Sequence, residues 1–314
     1  MTQTRKSQAG AWLNRNSTYA IHCNISRPEL AFADELQSVF GRLDFVPVGD
    51  GQIHRFHVPG DRTGSRNGWY LLFLDGIASG CFGSWKEGST HTWSSRKPAD
   101  PLEAELIRQR IEQARRQREA EQHQRQQAAA EYANRLWRDA RRADPAHPYL
   151  IAKGCRPYNL RQLGDALLVP LYHSGELVNL QHIGTDGQKR FPSGGRVKGC
   201  YSPLGIITAG QPLYVAEGWA TGATLHAETG HPVACAMNAG NLLEAGRHLQ
   251  RRHPDAVLIV AGDDDRQTQG NPGKTAAIAA AAALGCGLIL PPWPADAPLY
   301  LTDFNDLHRW GAAQ

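Results

Sequence analysis

The sequence has neither a long apolar run nor a closely spaced pair of cysteines. Its longest apolar stretch, residues 276–290, is interrupted by a Gly-Cys-Gly segment and ends at two prolines. It is therefore shorter than the ~20 residues that a membrane span needs. The six cysteines are scattered, and no apolar signal core follows the N-terminus. We expect a reduced, cytoplasmic protein that has no membrane partner.

The chain also lacks a strong excess of either charge. Its 34 Lys and Arg residues against 30 Asp and Glu residues give a net charge of +4 and a pI near 8.8. That balance permits nucleic-acid binding without requiring it. Basic residues concentrate in 108–142 and 153–198, ahead of the acids discussed below. This order separates a basic surface from an acidic site along the chain.

Two common nucleotide-binding motifs are absent. Gly273-Lys274-Thr275 resembles the end of a phosphate-binding P-loop, but Thr268 stands where that loop needs its first glycine. A dinucleotide fingerprint needs three glycines after the first strand, whereas Glu217 stands at that turn and would repel a pyrophosphate. Neither of these two nucleotide-binding modes is expected.

Changes in composition and in hydrophobic pattern along the sequence predict five segments. A helix over 28–40 and strands near 53–58, 69–74 and 80–85 indicate a small α+β domain, and residues 102–142, without Gly or Pro, indicate a long exposed helix. A hairpin over 166–171 and 177–181 then opens a second region. The predicted segments are a flexible N-terminus (1–27), an α+β domain (28–98), a charged helical linker (99–145), a basic subdomain (146–210) and an α/β domain (211–314).

Strands and helices alternate in the last third of the chain. Such alternation predicts a parallel sheet with helices on its faces. Asn271-Pro272 is a good helix start and Gly285 a good stop. The predicted strands are 213–216, 232–236, 257–262 and 287–290, and the predicted helices lie near 219–229, 241–252 and 272–284.

Carboxylates follow two of these strands. Glu217 ends the first strand, and Asp263, Asp264 and Asp265 end the third. Because the carboxyl ends of parallel strands meet in one crevice, these acids are expected to converge and to hold divalent metal ions. Such a site suits phosphoryl transfer.

The same residues resemble the Toprim pattern of bacterial-type primases, topoisomerases and related nucleases. In that pattern a glutamate ends one strand and an Asp-x-Asp pair ends a later one, which maps to Glu217, Asp263 and Asp265, with Asp264 between. The helix that carries Lys274 also matches. The segment 302–307 resembles the acidic stretch that closes the Toprim domain in primases, and it adds Asp303.

Upstream segments resemble primases of plasmids, prophages and other mobile elements, relatives of the chromosomal primase core. The resemblance covers the basic subdomain, above all residues 187–201, and the N-terminal α+β domain. It implies a Rossmann-like Toprim domain, a nucleotidyltransferase that makes RNA primers on single-stranded DNA from ribonucleoside triphosphates, and Mg²⁺ or Mn²⁺ as cofactor. The implied catalytic residues are Glu217, Asp263 and Asp265; these three and Asp303 are the implied metal ligands; the implied nucleic-acid or nucleotide contacts are Lys153, Lys189, Arg190, Arg196, Lys198 and Lys274.

The chain departs from the primase pattern in two ways, the first of which concerns the zinc ribbon of chromosomal primases. It has no paired cysteines for a zinc ribbon, so zinc would need an irregular set of ligands such as Cys23, His54, His57, Cys81 or His91. No helicase segment follows, although several relatives are fused to one, so a separate replicative helicase is a candidate partner.

Two other functions stay open at this point. A metal-dependent Toprim nuclease needs the same acids, and a non-catalytic replication module would need only the nucleic-acid surface. A topoisomerase would also need a tyrosine nucleophile and a gate-forming body, for which the chain has little room.

Overall fold

The computed structural model describes residues 27–313, and the chain divides into two compact units between Arg118 and Glu119. The predicted flexible N-terminus, apart from its last residue, and Cys23 lie outside the described residues. Within residues 27–313, no helix is both long and apolar enough to cross a bilayer. The five cysteines of this part are all free thiols.

The first unit is built on an antiparallel sheet with strand order β1-β2-β3-β4. The sheet has one more strand, β4, than the sequence predicts. This strand gives little sequence signal, because its residues alternate between half-buried and exposed and few of them are apolar. The elements are α1 (Pro28–Phe40), β1 (His54–Phe56), β2 (Gly68–Phe73), β3 (Ser79–Ser84), β4 (Ser89–Ser94) and the start of α2 (Pro101–Asp139).

Helix α1 covers one face of this sheet. Pro28 begins it, and Phe32, Leu36 and Phe40 recur at four-residue spacing, which places them on one side. They pack with Tyr70 and other sheet residues in a buried aromatic core. Tyr70 is therefore a core residue.

Helix α2 is less exposed than its charged sequence suggested. Ala114 is buried with Trp69 on the other face of the first sheet, and Arg110 is buried while it donates to the carbonyl of Ile77 (2.9 Å). Farther along, Ala133 is buried in a cluster of the second unit. Small residues at these positions let the helix backbone approach its neighbours closely.

The second unit begins with an antiparallel meander of strand order β5-β6-β7-β8-β9. Its long central hairpin matches the predicted strands, whereas the short outer strands carry too few residues to give a sequence signal. The elements are β5 (Arg141–Arg142), α3 (Pro148–Lys153), β6 (Arg161–Leu163), β7 (Ala166–His173), β8 (Glu176–Ile183) and β9 (Lys189–Arg190).

The rest of the second unit is the expected α/β sheet, with strand order β10-β12-β11-β13-β14. Four strands are parallel, and the additional edge strand β10 pairs antiparallel with β12. The elements are β10 (Ser202–Leu204), β11 (Pro212–Ala216), α4 (Trp219–Thr229), β12 (Val233–Cys235), α5 (Leu242–Arg252), β13 (Val257–Ala261), α6 (Pro272–Leu284), β14 (Gly287–Ile289) and α7 (Phe304–Gly311).

The order of the parallel strands creates a crevice at their carboxyl ends. From the central strand β11 the chain passes to β12 on one side, and then crosses to β13 on the other. Helix α4 packs into one core cluster, whereas α5 and α6 pack into another. A reversal of strand order of this kind opens a ligand crevice in α/β sheets.

Candidate active site

Two acids stand side by side at this crevice. Ala216 and Ala261 are register partners at the ends of β11 and β13. Glu217 follows the first directly, and Asp263 follows the second after Gly262. Both strands are apolar runs whose last two residues are buried, so the first polar residue after each one lies at the same edge of the sheet. The structure thus brings these two predicted residues together.

Asp263 has the most perturbed carboxylate in this crevice. Burial, followed by the charges of Glu217, Asp303 and Asp265, raises its pKa to about 8. Its Oδ1 atom is buried and has no hydrogen-bond partner in the described part of the chain. A buried carboxylate among like charges, with one oxygen unsatisfied, is an environment typical of functional sites.

Glu217 is half-buried and shares this environment. Burial is the main cause that raises the pKa of its carboxyl group, and the charges of Asp265 and Asp303 add to the effect. A hydrogen bond from the backbone N–H of Ala239 opposes it. Ala239 lies two residues after Met237, whose φ of 74° is a left-handed conformation that is rare for a residue with a side chain. The strained turn after β12 thus delivers a donor to Glu217.

Asp303 joins the site from the end of the chain. Its side chain caps helix α7 by accepting the N–H of Asp306 (2.7 Å). Burial and the charge of Asp306 raise the pKa of Asp303, whereas Lys153 and Lys189 lower it. The predicted acidic segment therefore lies at the same crevice as the strand-end acids.

Asp264 and Asp265 have structural partners. The buried Asp264 accepts hydrogen bonds from Asn271 Nδ2 (2.7 Å) and Trp293 Nε1 (3.1 Å). Asp265 Oδ2 accepts the N–H of Gly273 (2.9 Å) at the start of α6. A Cβ atom on Gly273 would stand 2.9 Å from that oxygen and 3.1 Å from the backbone oxygen of Asp263, so glycine favours this close approach. Asp265 therefore reaches the acidic cluster while capping a helix.

Two of the predicted cations act on the acids. The charge of Lys189, an exposed residue of β9, lowers the pKa of Glu217, Asp263 and Asp303. Lys153, at the end of α3, lowers that of Asp303 and contacts Asp306 at 3.4 Å. The basic subdomain thus places positive charge beside the acidic crevice.

The other four predicted cations lie elsewhere or have other partners. Lys274 pairs with Asp264 at 3.7 Å. Arg196 donates through Nη2 to His173 Nε2 at 2.8 Å. Burial and this cation are the main causes that hold the pKa of His173 at about 4, so its imidazole is neutral at pH 7 and accepts the bond. Lys198 is exposed beyond Arg196, and Arg190 lines a separate cavity of about 610 Å³.

Two polar residues that the sequence analysis did not single out hold the site together. Asn241 is buried, accepts the N–H of Gly199 (2.7 Å) and donates to the carbonyls of Cys200 (2.9 Å) and Ala236 (2.8 Å). Asn305 is buried and donates to the carbonyl of Lys153 at 2.7 Å. Both tie the basic subdomain to the α/β sheet. An asparagine carries no sequence signal for such long-range partners.

The acids fit a divalent cation by their chemistry. Carboxylate oxygen atoms are the ligands that Mg²⁺ and Mn²⁺ prefer. The Oδ1 atom of Asp263 has no hydrogen-bond partner in residues 27–313 and is therefore available as such a ligand. Among residues 27–313, however, no three His, Cys, Asp or Glu side chains stand in a ready-made metal-binding group. Glu217 and Asp263 would supply negative charge for a metal, while Asp265 and Asp303 are engaged as helix caps.

Comparison with known proteins agrees with the resemblance read from the motifs. Residues 212–313 match the Toprim domain family. The chain is 35% identical over 282 residues to a protein named DNA primase TraC from Escherichia coli, an alignment that covers 84% of this chain and 26% of that protein. A second Escherichia coli protein of the same name is 33% identical over 282 residues, covering 83% of this chain and 19% of that protein. The chain therefore spans about a quarter or less of these relatives' length.

A solved structure also matches part of the chain. It contains bacteriophage T7 lagging-strand DNA polymerase interacting with primase domains bound to an RNA/DNA hybrid and dTTP. The matched chain is 15% identical, the match covers 49% of this chain and 76% of that chain, and the TM-score is 0.35. A TM-score of this size does not establish a common fold. The Toprim match together with the parallel sheet confirms the predicted fold class of the C-terminal part.

Proposed function

We propose that this chain, whose residues 212–313 form a Toprim domain, is a DNA primase that makes short RNA primers on single-stranded DNA during plasmid- or phage-type replication. Its similarity to proteins named DNA primase extends over 84% and 83% of the chain, well beyond the Toprim domain. The observation that carries the proposal is the pair of Glu217 and Asp263 at the carboxyl ends of adjacent strands, where burial and the neighbouring acids raise the pKa of Asp263 to about 8.

The reaction joins two nucleotides. The 3′-hydroxyl oxygen of one attacks the α-phosphorus of an incoming ribonucleoside triphosphate, the bond to the β-phosphate breaks, and pyrophosphate leaves with the electron pair. Glu217, Asp263, Asp265 and Asp303 are the residues that would hold Mg²⁺ or Mn²⁺. When bound, such ions supply positive charge that stabilises the phosphoryl group and the leaving pyrophosphate.

The side chains have separate tasks in this proposal. Glu217, whose pKa is raised chiefly by burial, would as an alternative to metal binding serve as general acid or base, accepting the proton of the attacking hydroxyl. Lys189, whose charge acts on three of the acids, holds the phosphates of the incoming nucleotide near them. Asp265 keeps the acidic loop against helix α6.

The remaining predicted cations serve the nucleic acid. Arg190, Arg196 and Lys198 are proposed to contact template phosphates, and Lys153 is proposed to contact nucleic acid or nucleotide at the rim of the acidic crevice. Lys274 is also proposed to contact the nucleotide. Its ammonium group is paired with Asp264 in this structure, so this contact would compete with that ion pair. The proposed partners are single-stranded DNA, ribonucleoside triphosphates and a separate replicative helicase, and the proposed location is the cytoplasm.

Primer synthesis tests the proposal. The protein is incubated with single-stranded DNA, labelled ribonucleotides and Mg²⁺ or Mn²⁺, and the products are separated by length. We expect short labelled RNA from the wild type and none from the double variant Asp263→Asn, Asp265→Asn. Circular dichroism and binding to the same DNA verify that this variant is folded. Full synthesis by the folded double variant would refute the assignment of these acids.

The same reaction separates the alternatives. A Toprim nuclease would shorten an end-labelled template in the presence of metal and without ribonucleotides. A non-catalytic module would bind the DNA equally well in wild type and double variant and would yield neither product. The primase proposal requires new RNA and an intact template.

A further inference from the structure

A large cavity opens on the first unit, far along the chain from the acidic crevice. Its volume is about 930 Å³, within the ~300–1,000 Å³ that ligand sites commonly span. The segment between α1 and β1 forms one wall, with Phe45, Val46 and Val48, and the segment around Arg66 forms another. The cavity therefore belongs entirely to the N-terminal α+β unit, to which the Toprim match assigns nothing.

The lining of this cavity is positively charged. Three arginines line it, namely Arg42, Arg55 and Arg66, against the single carboxylate of Asp44. Arg42 and Arg66 are exposed, and neither forms an ion pair with another described residue. A second carboxylate, Asp50, is bound by His54 at 2.9 Å and does not line the cavity. Two cations that form no ion pair within residues 27–313 and stand at one concave surface offer a site to an anion.

The floor of the cavity is apolar and firmly built. Phe56 and Tyr70 are buried beneath it, and the ring of Phe45 stacks on that of Tyr70 with centroids 5.7 Å apart. The Tyr70 hydroxyl accepts the N–H of Val48 at 3.1 Å, which holds the wall segment in place. Val46 and Val48 nevertheless remain 58% and 52% exposed. Apolar side chains are thus presented to solvent above a buried aromatic floor.

Positive charge beside exposed apolar surface indicates which kind of ligand this cavity would bind. A polyanion that also offers flat apolar faces satisfies both features, and unpaired nucleobases have such faces, whereas those of a duplex are already stacked. We propose that this cavity binds a stretch of single-stranded nucleic acid, with phosphates on Arg42 and Arg66 and bases on Phe45, Val46 and Val48. The site is independent of the acidic crevice, and it rests on the proposed function only for the strand's role as template.

Binding of a fluorescent oligothymidine to the full chain tests this inference. Affinity is measured by anisotropy over a range of salt concentrations, in EDTA and without nucleotides, so that no synthesis takes place. The double variant Arg42→Gln, Arg66→Gln is expected to bind about tenfold more weakly. The slope of log affinity against log salt should fall by ~1.4, since each phosphate contact on a single strand contributes ~0.7. Both side chains are exposed, so the variant should fold normally.

A matched control removes the same charge elsewhere on this unit. Arg62 and Lys97 are exposed and do not line the cavity. The double variant Arg62→Gln, Lys97→Gln should retain at least half of the wild-type affinity. Equal losses in the two double variants would reduce the effect to net charge and overturn the site.

Base contact is tested with an abasic strand and by crosslinking. An abasic oligonucleotide of equal length should bind the wild type more weakly than oligothymidine, and 5-iododeoxyuridine should crosslink to the segments 42–48 and 54–66. Equal binding of the two strands, or crosslinks confined to other segments, would contradict the inference. None of these readouts needs primer synthesis, so failure of the proposed enzymatic activity would leave them interpretable.

Discussion

Glu217 and Asp263 follow two neighbouring parallel strands, and burial, followed by the charge of Glu217, raises the pKa of Asp263. The relationship follows from the pairing of Ala216 with Ala261. Burial and repulsion among the acids both disfavour the ionised form of Asp263. Binding of a cation or a proton at this site is therefore favourable.

The metal-free protein should lose stability as the pH rises. The pKa of Asp263 is raised from 3.8 to about 8, so between these values the folded state keeps a proton that the unfolded chain has released. The free energy of unfolding therefore falls with pH across that window. Replacing Asp263 with Asn should flatten the decline. At pH 8 in EDTA it should raise Tm by at least ~2–4 °C, the change that about 1 kcal/mol produces at this size.

Differential scanning fluorimetry from pH 5 to pH 9 measures this effect. Asp255→Asn is the matched control, because Asp255 is an exposed loop carboxylate. It should leave the pH profile unchanged. A profile for Asp263→Asn that runs parallel to the wild type would show that Asp263 is ionised throughout.

Divalent cations should stabilise the wild type in the same window. Mg²⁺ or Mn²⁺ at pH 8 offsets the repulsion among the acids, so Tm should rise with cation concentration. The variant Glu217→Gln should show less than half of that shift, since one charged donor is lost. A titration followed by fluorimetry checks it, with Ca²⁺-free buffer and Asp255→Asn as control. Equal shifts in wild type and Glu217→Gln would place the cation elsewhere.

Removing Lys189 should move the pH dependence of synthesis. Its positive charge lowers the pKa of Glu217, Asp263 and Asp303, so Lys189→Met raises these values. The rising limb of kcat/KM for ribonucleotide should shift to higher pH. At pH 7, kcat/KM should fall roughly tenfold, or about 1.4 kcal/mol of transition-state stabilisation. Arg142→Met, on the opposite edge strand of the meander, is the control and should leave the limb in place.

The sequence predicts the parallel sheet well. The buried strands β11 and β13 are unbroken apolar runs, which agree with the predicted bounds to within a residue. Helix α6 has the predicted bounds because Asn271 caps it and Gly285 ends it in a left-handed conformation. Strand β10 has three residues and gives no such pattern, so the antiparallel edge was missed.

The partners of individual side chains were not predictable in the same way. Asp263, Asp264 and Asp265 are chemically identical in the sequence, yet one is unsatisfied, one is held by an asparagine and a tryptophan, and one caps a helix. These differences depend on residues up to 29 positions away. Local pattern places the acids at the sheet edge, and tertiary contacts decide their roles.

Asp264 should matter for folding more than for chemistry. Asp264→Ala removes the acceptor for Asn271 and Trp293 and leaves both donors without it. We expect the free energy of unfolding to fall by ~2–4 kcal/mol, since hydrogen bonds to a charged group contribute about 1.5–3 kcal/mol each and do not add fully. Urea denaturation measures the loss, and Asp255→Ala should cost less than ~0.5 kcal/mol as a surface change. An equally small loss of unfolding free energy for Asp264→Ala would contradict a structural role for Asp264.

The most direct test of the central claim is primer synthesis by Glu217→Gln. Glutamine keeps the size of the side chain and removes its charge and its ability to accept a proton. Purified wild type and variant are given single-stranded DNA, labelled ribonucleotides and Mg²⁺ or Mn²⁺. We predict short RNA from the wild type and at least ~100-fold less from the variant, the lower part of the range for loss of acid–base catalysis. Equal amounts of primer from both proteins would contradict the assignment of the acidic crevice as the active site.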